Sequence, residues 1–125
     1  MSLLLDTHAL LWWLTDDPIL STPARDALAD PAQDLFVSAA SAWEIAIKSN
    51  MGKLHVTSDW LESVEAGGIT PLDMSIRHAK DAGDLPFLHR DPFDRMIVAQ
   101  AQALGLTIVT RDRNIARYGV PVLRA

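Results

Sequence analysis

Short unbroken apolar runs alternate along this chain with longer stretches in which apolar and polar residues mix. Leu3-Leu4-Leu5 and Leu35-Phe36-Val37 are such runs, and Leu106-Thr107-Ile108-Val109, broken only by Thr107, is the best strand candidate. They read as strands buried on both faces, although run length alone does not exclude a helix. Ala9 to Leu14 reads as a short helix halted by Thr15-Asp16-Asp17-Pro18, and Ser21-Thr22-Pro23 opens a second helix through about Ala29. After the second run, Ser38 or Ser41 caps a helix to about Asn50, with Gly52 as its stop. Ser58-Asp59 starts a helix from Trp60 to Ala66, closed by Gly67-Gly68. Ile69 to Leu72 is a weaker strand, placed at an edge by Pro71. Ser75 to Ala82 is helical and 83–90 is loop. Pro92 to Leu104 forms a helix with apolar residues at 93, 96, 97, 101 and 104, ending at Gly105. Thr110-Arg111-Asp112 leads into a brief helix reaching Tyr118, and Val120-Pro121-Val122 closes the pattern as a short edge strand.

This alternation predicts an α/β fold: a three-layer α/β/α arrangement around a mainly parallel, doubly wound sheet of about four to five strands. Residues 1–125 are expected to form one domain, since a chain of this length buries roughly 65–70% of its unfolded surface. Ligands of such sheets bind outside the carboxyl ends of the strands. Asp6 follows the first run and Asp112 follows the late one, so both should face the same edge.

Composition narrows the chemistry. Apolar content of 49% with 22% charged residues describes an ordinary globule. The absence of cysteine excludes disulfides and thiolate zinc sites and fits a reducing, cytoplasmic setting. Met1-Ser2-Leu3-Leu4-Leu5 lacks a basic region and meets Asp6 at once, so it does not read as a signal peptide. No apolar run approaches the roughly 18 residues that span a bilayer, so no membrane partner is expected. The net charge of −5 is uneven: residues 1–84 hold five Lys/Arg against thirteen Asp/Glu, and residues 85–125 hold six Arg against three Asp. An acidic chain is a poor nonspecific nucleic-acid binder, yet a local arginine edge can hold a phosphodiester.

The densest chemistry is His89-Arg90-Asp91-Pro92-Phe93-Asp94-Arg95. Pro92 suits the first turn of a helix, with Asp91 as N-cap. Taken singly, each acid has a structural explanation. Asp6, Asp91 and Asp112 can cap helices, and Asp94 can complement a helix dipole. Glu44 can complete a capping box with Ser41 or pair with Lys48 one turn on. Jointly, Asp6, Glu44, Asp94 and Asp112 converge if the sheet is wound as argued. Crowded carboxylates raise one another's pKa and call for a cation. An all-oxygen donor set favours Mg²⁺ or Mn²⁺ over zinc, the metals of phosphoryl chemistry.

Four motifs in order, Leu4-Leu5-Asp6-Thr7-His8, Ser38-Ala39-Ala40-Ser41-Ala42-Trp43-Glu44-Ile45, Asp91-Pro92-Phe93-Asp94-Arg95 and Val109-Thr110-Arg111-Asp112, resemble the PIN-domain ribonucleases. Among these the chain is most similar to the VapC-type toxins of type II toxin–antitoxin modules. The resemblance spans nearly the whole chain. It implies a PIN-like fold and an endoribonuclease in which Asp6, Glu44, Asp94 and Asp112 hold Mg²⁺ or Mn²⁺ and activate water. Asp6 and Asp94 would be the firmest ligands, Glu44 would complete the shell or orient the water, and Asp112 would act through a second metal or bound water. It further implies an RNA substrate, a cognate antitoxin protein held in a groove lined by early helices, and a homodimer.

Supporting residues carry two readings each. Thr7 and Thr110 match hydroxyl positions near the site or cap backbone locally. Asp91 supports the site or only caps. Arg90, Arg111 and Arg113 contact RNA phosphates or pair with nearby acids, and for Arg95 the ion pair with neighbouring acids is favoured. His8 and His89 are not required as acid or base if metal activates the water. His55 and His78 read as surface or packing residues. Trp12, Trp13, Trp43 and Trp60 read as mostly core, with one or two serving the antitoxin groove.

Two other families of similar start or winding fit poorly, one of them enzymatic. A haloacid dehalogenase needs a second aspartate two residues after the first, where this chain has His8. A receiver domain needs an acidic pair near the first strand and a late lysine, whereas the lysines are Lys48, Lys53 and Lys80. The remaining alternative is a catalytically silent PIN fold that only binds a protein or RNA partner.

Overall fold

The computed structural model describes residues 1–125 and turns the alternation into five strands and seven helices. The strands are β1 (Ser2–Leu5), β2 (Asp34–Ser38), β3 (Thr70–Leu72), β4 (Thr107–Thr110) and β5 (Val122–Arg124). All pairings are parallel, in the order β3-β2-β1-β4-β5. The helices are α1 (Thr7–Leu14), α2 (Thr22–Ala29), α3 (Ala39–Asn50), α4 (Trp60–Ala66), α5 (Ile76–Asp84), α6 (Pro92–Leu104) and α7 (Arg113–Ala116). None is long and apolar enough to cross a membrane.

Successive side chains of a strand point to opposite faces. Leu3, Leu5, Leu35, Val37 and Val109 therefore pack on one side with Leu10, Leu28, Ile45 and Val64. Leu4 and Ile108 pack on the other with Ile97, Val98, Ala101 and Ile115. Helices α1 to α4 supply the first layer; α6 and α7 supply the second. Because both faces are covered, the central strands carry consecutive apolar residues, Leu3-Leu4-Leu5, Leu35-Phe36-Val37 and Ile108-Val109, rather than alternating ones.

The winding positions the site. From β1 the chain moves outward through β2 to β3, then returns through α5 and α6 to β4 on the far side of β1. The order reverses between β1 and β4, and the backbone N–H of Asp6 still reaches the carbonyl of Val109 at 3.1 Å. Both edge assignments hold, at β3 and at β5.

Three local expectations are corrected, and of the two caps offered for α3 one is selected. Helix α3 is capped by Ser38, whose hydroxyl accepts from the N–H of Ala40 at 3.0 Å. Ser41 is buried within α3 without a hydrogen-bond partner, so no capping box with Glu44 forms. β5 begins at Val122, because Pro121 has no N–H to give and instead offers its carbonyl to Ile108 at 2.9 Å. Helix α5 continues past Ala82 to Asp84.

Arg95 explains the last. Its guanidinium is buried and pairs with no acid. It donates to the carbonyls of Ala82 (2.8 Å), Gly83 (3.2 Å) and Leu85 (2.9 Å) at the end of α5, and to those of Pro86 (3.1 Å) and His89 (3.2 Å) in the following loop. Helix C-termini leave carbonyls without partners, and a planar guanidinium with several donors satisfies them together. One side chain of α6 thus fixes both the end of α5 and residues 85–89.

Arg95→Ala strands these carbonyls and is expected to cost about 3 kcal/mol in urea unfolding. Arg95→Lys should recover less than half, because a point charge cannot serve five acceptors. A loss below about 0.5 kcal/mol for Arg95→Ala would contradict this anchoring role.

Candidate metal centre

Each acid is fixed by the local element that carries it. Asp6 leaves β1 with extended backbone and caps α1: one carboxylate oxygen accepts from the N–H of Ala9 at 2.8 Å. The other accepts from the hydroxyl of Thr110, at the end of β4, at 2.5 Å. The Thr110 oxygen in turn accepts from the N–H of Asp112 at 3.0 Å, which ties the two strand ends together. Asp112 caps α7 through the N–H of Asn114 at 2.8 Å.

Glu44 lies on α3 and is 3% exposed. Thr7 donates its hydroxyl to Oε1 at 2.6 Å, and Lys48 donates to Oε2 at 2.5 Å. Asp91 caps α6, accepting from the N–H groups of Phe93 (2.8 Å) and Asp94 (3.2 Å). The first turn that Pro92 opens then carries Asp94 toward the crevice.

His89 stands between two of these acids. Its Nε2 is 2.8 Å from Asp112 Oδ2 and 3.0 Å from Asp94 Oδ2. The N–H of Asp91 donates to Nδ1 at 3.2 Å, which assigns the ring proton of the neutral imidazole to Nε2. One N–H therefore spans two carboxylates. His89, Asp94 and Asp112 bring their ligand atoms within 4.8 Å of one another.

Asp6, Glu44, Asp91, Asp94 and Asp112 line a single hollow of about 400 Å³ with Lys48, His8, His89, Arg111 and Trp12. Burial pushes the Asp94 carboxyl up to about 7, reinforced by the negative charges of Asp91, Asp6 and Asp112 and opposed by His89. Burial also raises Asp6, against the bonds from Thr110 and Ala9. The bond to Glu44 raises Lys48, so that lysine stays charged and is spent on one acid. The remaining carboxylates face one another with too few cations, in an oxygen-rich and thiol-free setting. That donor set suits a hard divalent cation.

The supporting residues divide. Thr7 and Thr110 hold acids of the hollow through their hydroxyls. Arg111 lines the hollow, but its guanidinium donates to the backbone oxygens of Ala125 and Ile19 and lies over Trp12. Arg90 and Arg113 are exposed outside its lining. His8 is exposed beside Trp12, and His78 caps α5 against Ser75. The expectation of core tryptophans fails at Trp43, which is 59% exposed and packs edge-on against Phe93. Trp12, Trp13 and Trp60 are half-buried against the core. The residue underweighted from the sequence is His89. Its signal is its place two residues before a cap, where an imidazole can accept the cap's N–H.

Residues 3–121 match the PIN domain family. The chain belongs to that family. This PIN domain is 34% identical over 128 aligned residues to the ribonuclease VapC22 of Mycobacterium tuberculosis (strain ATCC 25618 / H37Rv), covering 96% of the chain and 94% of the relative. Its fold is similar to that of VapBC2 from Rickettsia felis bound to a promoter DNA fragment (TM-score 0.72, 17% identity, 98% of both chains). DNA-bound VapBC from Salmonella typhimurium is comparable, with a TM-score of 0.68, 20% identity and 98% and 97% coverage. The parallel sheet and the family read from four short motifs are both confirmed.

The raised carboxyl of Asp94 fixes the sign of a pH effect. It ionises near 7 in the folded PIN domain and near 3.8 when unfolded, so between these values the folded state holds a proton that the unfolded state has lost. Its contribution to stability is complete below about pH 4 and fades as pH rises through 7. Asp94→Asn is expected to stabilise the metal-free protein at about pH 8 by about 1–3 kcal/mol in urea unfolding and to leave it nearly unchanged at the acid end. Mn²⁺ should raise the melting temperature of the wild type more at alkaline than at acid pH. A variant less stable than wild type at alkaline pH would contradict the assignment.

Proposed function

We propose that this chain is a metal-dependent endoribonuclease, the toxin of a type II toxin–antitoxin pair acting in the cytoplasm, with residues 1–125 as one PIN-like catalytic unit. The observation that carries the reading is the hollow at the β1/β4 switch point, where Asp6, Glu44, Asp94 and Asp112 meet. The kinship with a VapC ribonuclease supports the choice of RNA as substrate.

Asp6 and Asp94 are the principal holders of Mg²⁺ or Mn²⁺, with Glu44 and Asp112 completing the set. Bound there, such a cation supplies an activated water and stabilises charge on the scissile phosphate. The chain's own part is positioning. Thr7 and Thr110 orient Glu44 and Asp6, and the capping bonds keep Asp91 and Asp112 from turning away. His89 restrains Asp94 and Asp112 with one N–H, leaving its other nitrogen on the backbone. Arg90 and Arg113 contact RNA phosphates; Arg111, committed to backbone oxygens, serves the scaffold.

The antitoxin seat is the groove of about 530 Å³ between α1 and α4, lined by Leu11, Trp12, Leu14, Leu54, Val56 and Trp60. Half-buried aromatics beside aliphatic side chains suit the apolar face of a partner segment. The solved VapBC assemblies of similar fold support a protein partner, and the family resemblance supports a homodimer.

Purified free of partner, the chain is expected to cut single-stranded RNA in Mg²⁺ or Mn²⁺ and to lose this in EDTA. Asp6→Asn or Asp94→Asn should lower the rate at least about 100-fold, the scale of a lost electrostatic contact to the reacting group. Activity that survives EDTA or either substitution would sink the mechanism, and a folded chain that never cuts RNA would favour the silent binding module. Trp60→Ala should weaken co-purification with a co-expressed antitoxin while leaving RNA cleavage intact. Undiminished capture would remove α4 from the partner seat.

A further inference from the structure

A second hollow, of about 500 Å³, adjoins the acidic one and shares two of its walls, His89 and Asp91. Its other lining includes Phe87, Arg90, Asn114 and Arg117. Phe87 is 86% exposed, an unusual place for a large aromatic ring. It is not adrift: the guanidinium of Arg95 lies 4.8 Å from the ring centroid, and that guanidinium is gripped by the backbone of residues 82–89. The ring therefore rests on a fixed support with its outer face bare.

The arginines around it are also uncommitted. Arg90 and Arg117 are exposed, and neither pairs with a carboxylate although the chain has an excess of acids. Arg117 makes only a long bond, 3.4 Å, to the carbonyl of Leu88. An exposed flat apolar face, two free guanidiniums and an amide, set directly beside a cluster of acids, match the parts of a nucleotide. The base needs a surface to stack on, the phosphate needs cations, and the base edge needs a donor and acceptor.

We propose that this hollow is a nucleotide subsite for single-stranded RNA, in which Phe87 stacks an unpaired base next to the scissile bond and Arg90 and Arg117 hold the adjoining phosphate. It rests on the ribonuclease reading and deepens it. Only a base free of its own neighbours can reach the ring, so the subsite selects unpaired RNA over a duplex.

The test separates binding from cutting. Fluorescein-labelled single-stranded RNA of mixed sequence is titrated in EDTA and followed by anisotropy, and cleavage is assayed separately in Mn²⁺. Phe87→Ala is expected to weaken binding about 5- to 100-fold with the salt dependence unchanged, and Phe87→Trp to keep wild-type affinity. Arg117→Gln should lower the slope of log affinity against log salt by about 0.7. If Phe87→Ala binds as wild type does while the wild type cuts RNA, the subsite is overturned and the nuclease reading stands. Phe87-dependent binding by a chain that never cuts RNA supports the subsite and overturns the nuclease reading. A smaller oligomer for Phe87→Ala in sedimentation assigns the ring to a second copy and overturns the subsite. Equal competition by duplex DNA of the same length does the same.

Discussion

The crowding of carboxylates between the ends of β1 and β4 is the constraint to which the surrounding structure answers. Water would let these groups spread apart; the sheet holds them in one hollow, and burial drives Asp94 and Asp6 toward their neutral forms. What keeps them in place is mostly a set of neutral donors, with Lys48 the one cation, spent on Glu44. Backbone N–H groups of Ala9, Phe93, Asp94 and Asn114 hold three of the acids, and the hydroxyls of Thr7 and Thr110 hold two. A cap is worth about 1 kcal/mol to its helix. Here the same bond aims a carboxylate, so helix starts and the acidic hollow are built from one set of contacts.

The basic half of the chain is less available than its arithmetic suggests. Arg95 and Arg111 are consumed by backbone oxygens, one closing α5 and its loop, the other joining the Ala125 and Ile19 backbones. This consumption has a use. Arg95 anchors residues 85–89, and with them both His89, which spans two acids, and Phe87, which faces outward. Of the four arginines left free, Arg90, Arg113 and Arg117 stand on the surface near that anchored loop or at the short helix α7, and Arg124 lies on the edge strand β5.

Most of the fold was legible because its cause is local. Leu3-Leu4-Leu5 is apolar at each position only if both faces are covered, and that demands helices on either side. Asp6 and Asp112 were legible by place, as the first acids past buried strands. The misreadings share a different cause: they depend on what lies across space. Ser41 forms no capping box with Glu44 because β2 ends at residue 38 and leaves Ser41 inside α3. β5 starts late because Pro121 has no N–H to give to a ladder and offers only its carbonyl, to Ile108. Arg95 looked like a partner for Asp94, its neighbour in sequence, but α6 turns the two apart, one toward the crevice and one toward α5. No periodicity encodes that α5 would end beside it.

The acidic hollow is walled by two neighbours of opposite chemistry. It shares His8 and Trp12 with the apolar groove of α1 and α4, and His89 and Asp91 with the basic hollow around Phe87. On the proposed assignments, a protein partner reaches the acids along one wall and RNA along another. Recognition of the partner then places no demand on Phe87, Arg90 or Arg117, and recognition of RNA places none on Trp60 or Leu54. The two ligands compete only where the carboxylates are, so each recognition surface is free to change without disturbing the other. Asp6, Glu44 and Asp112 are fixed by backbone caps, buried hydroxyls and Lys48, and only Asp94 leans on a shared wall, through His89.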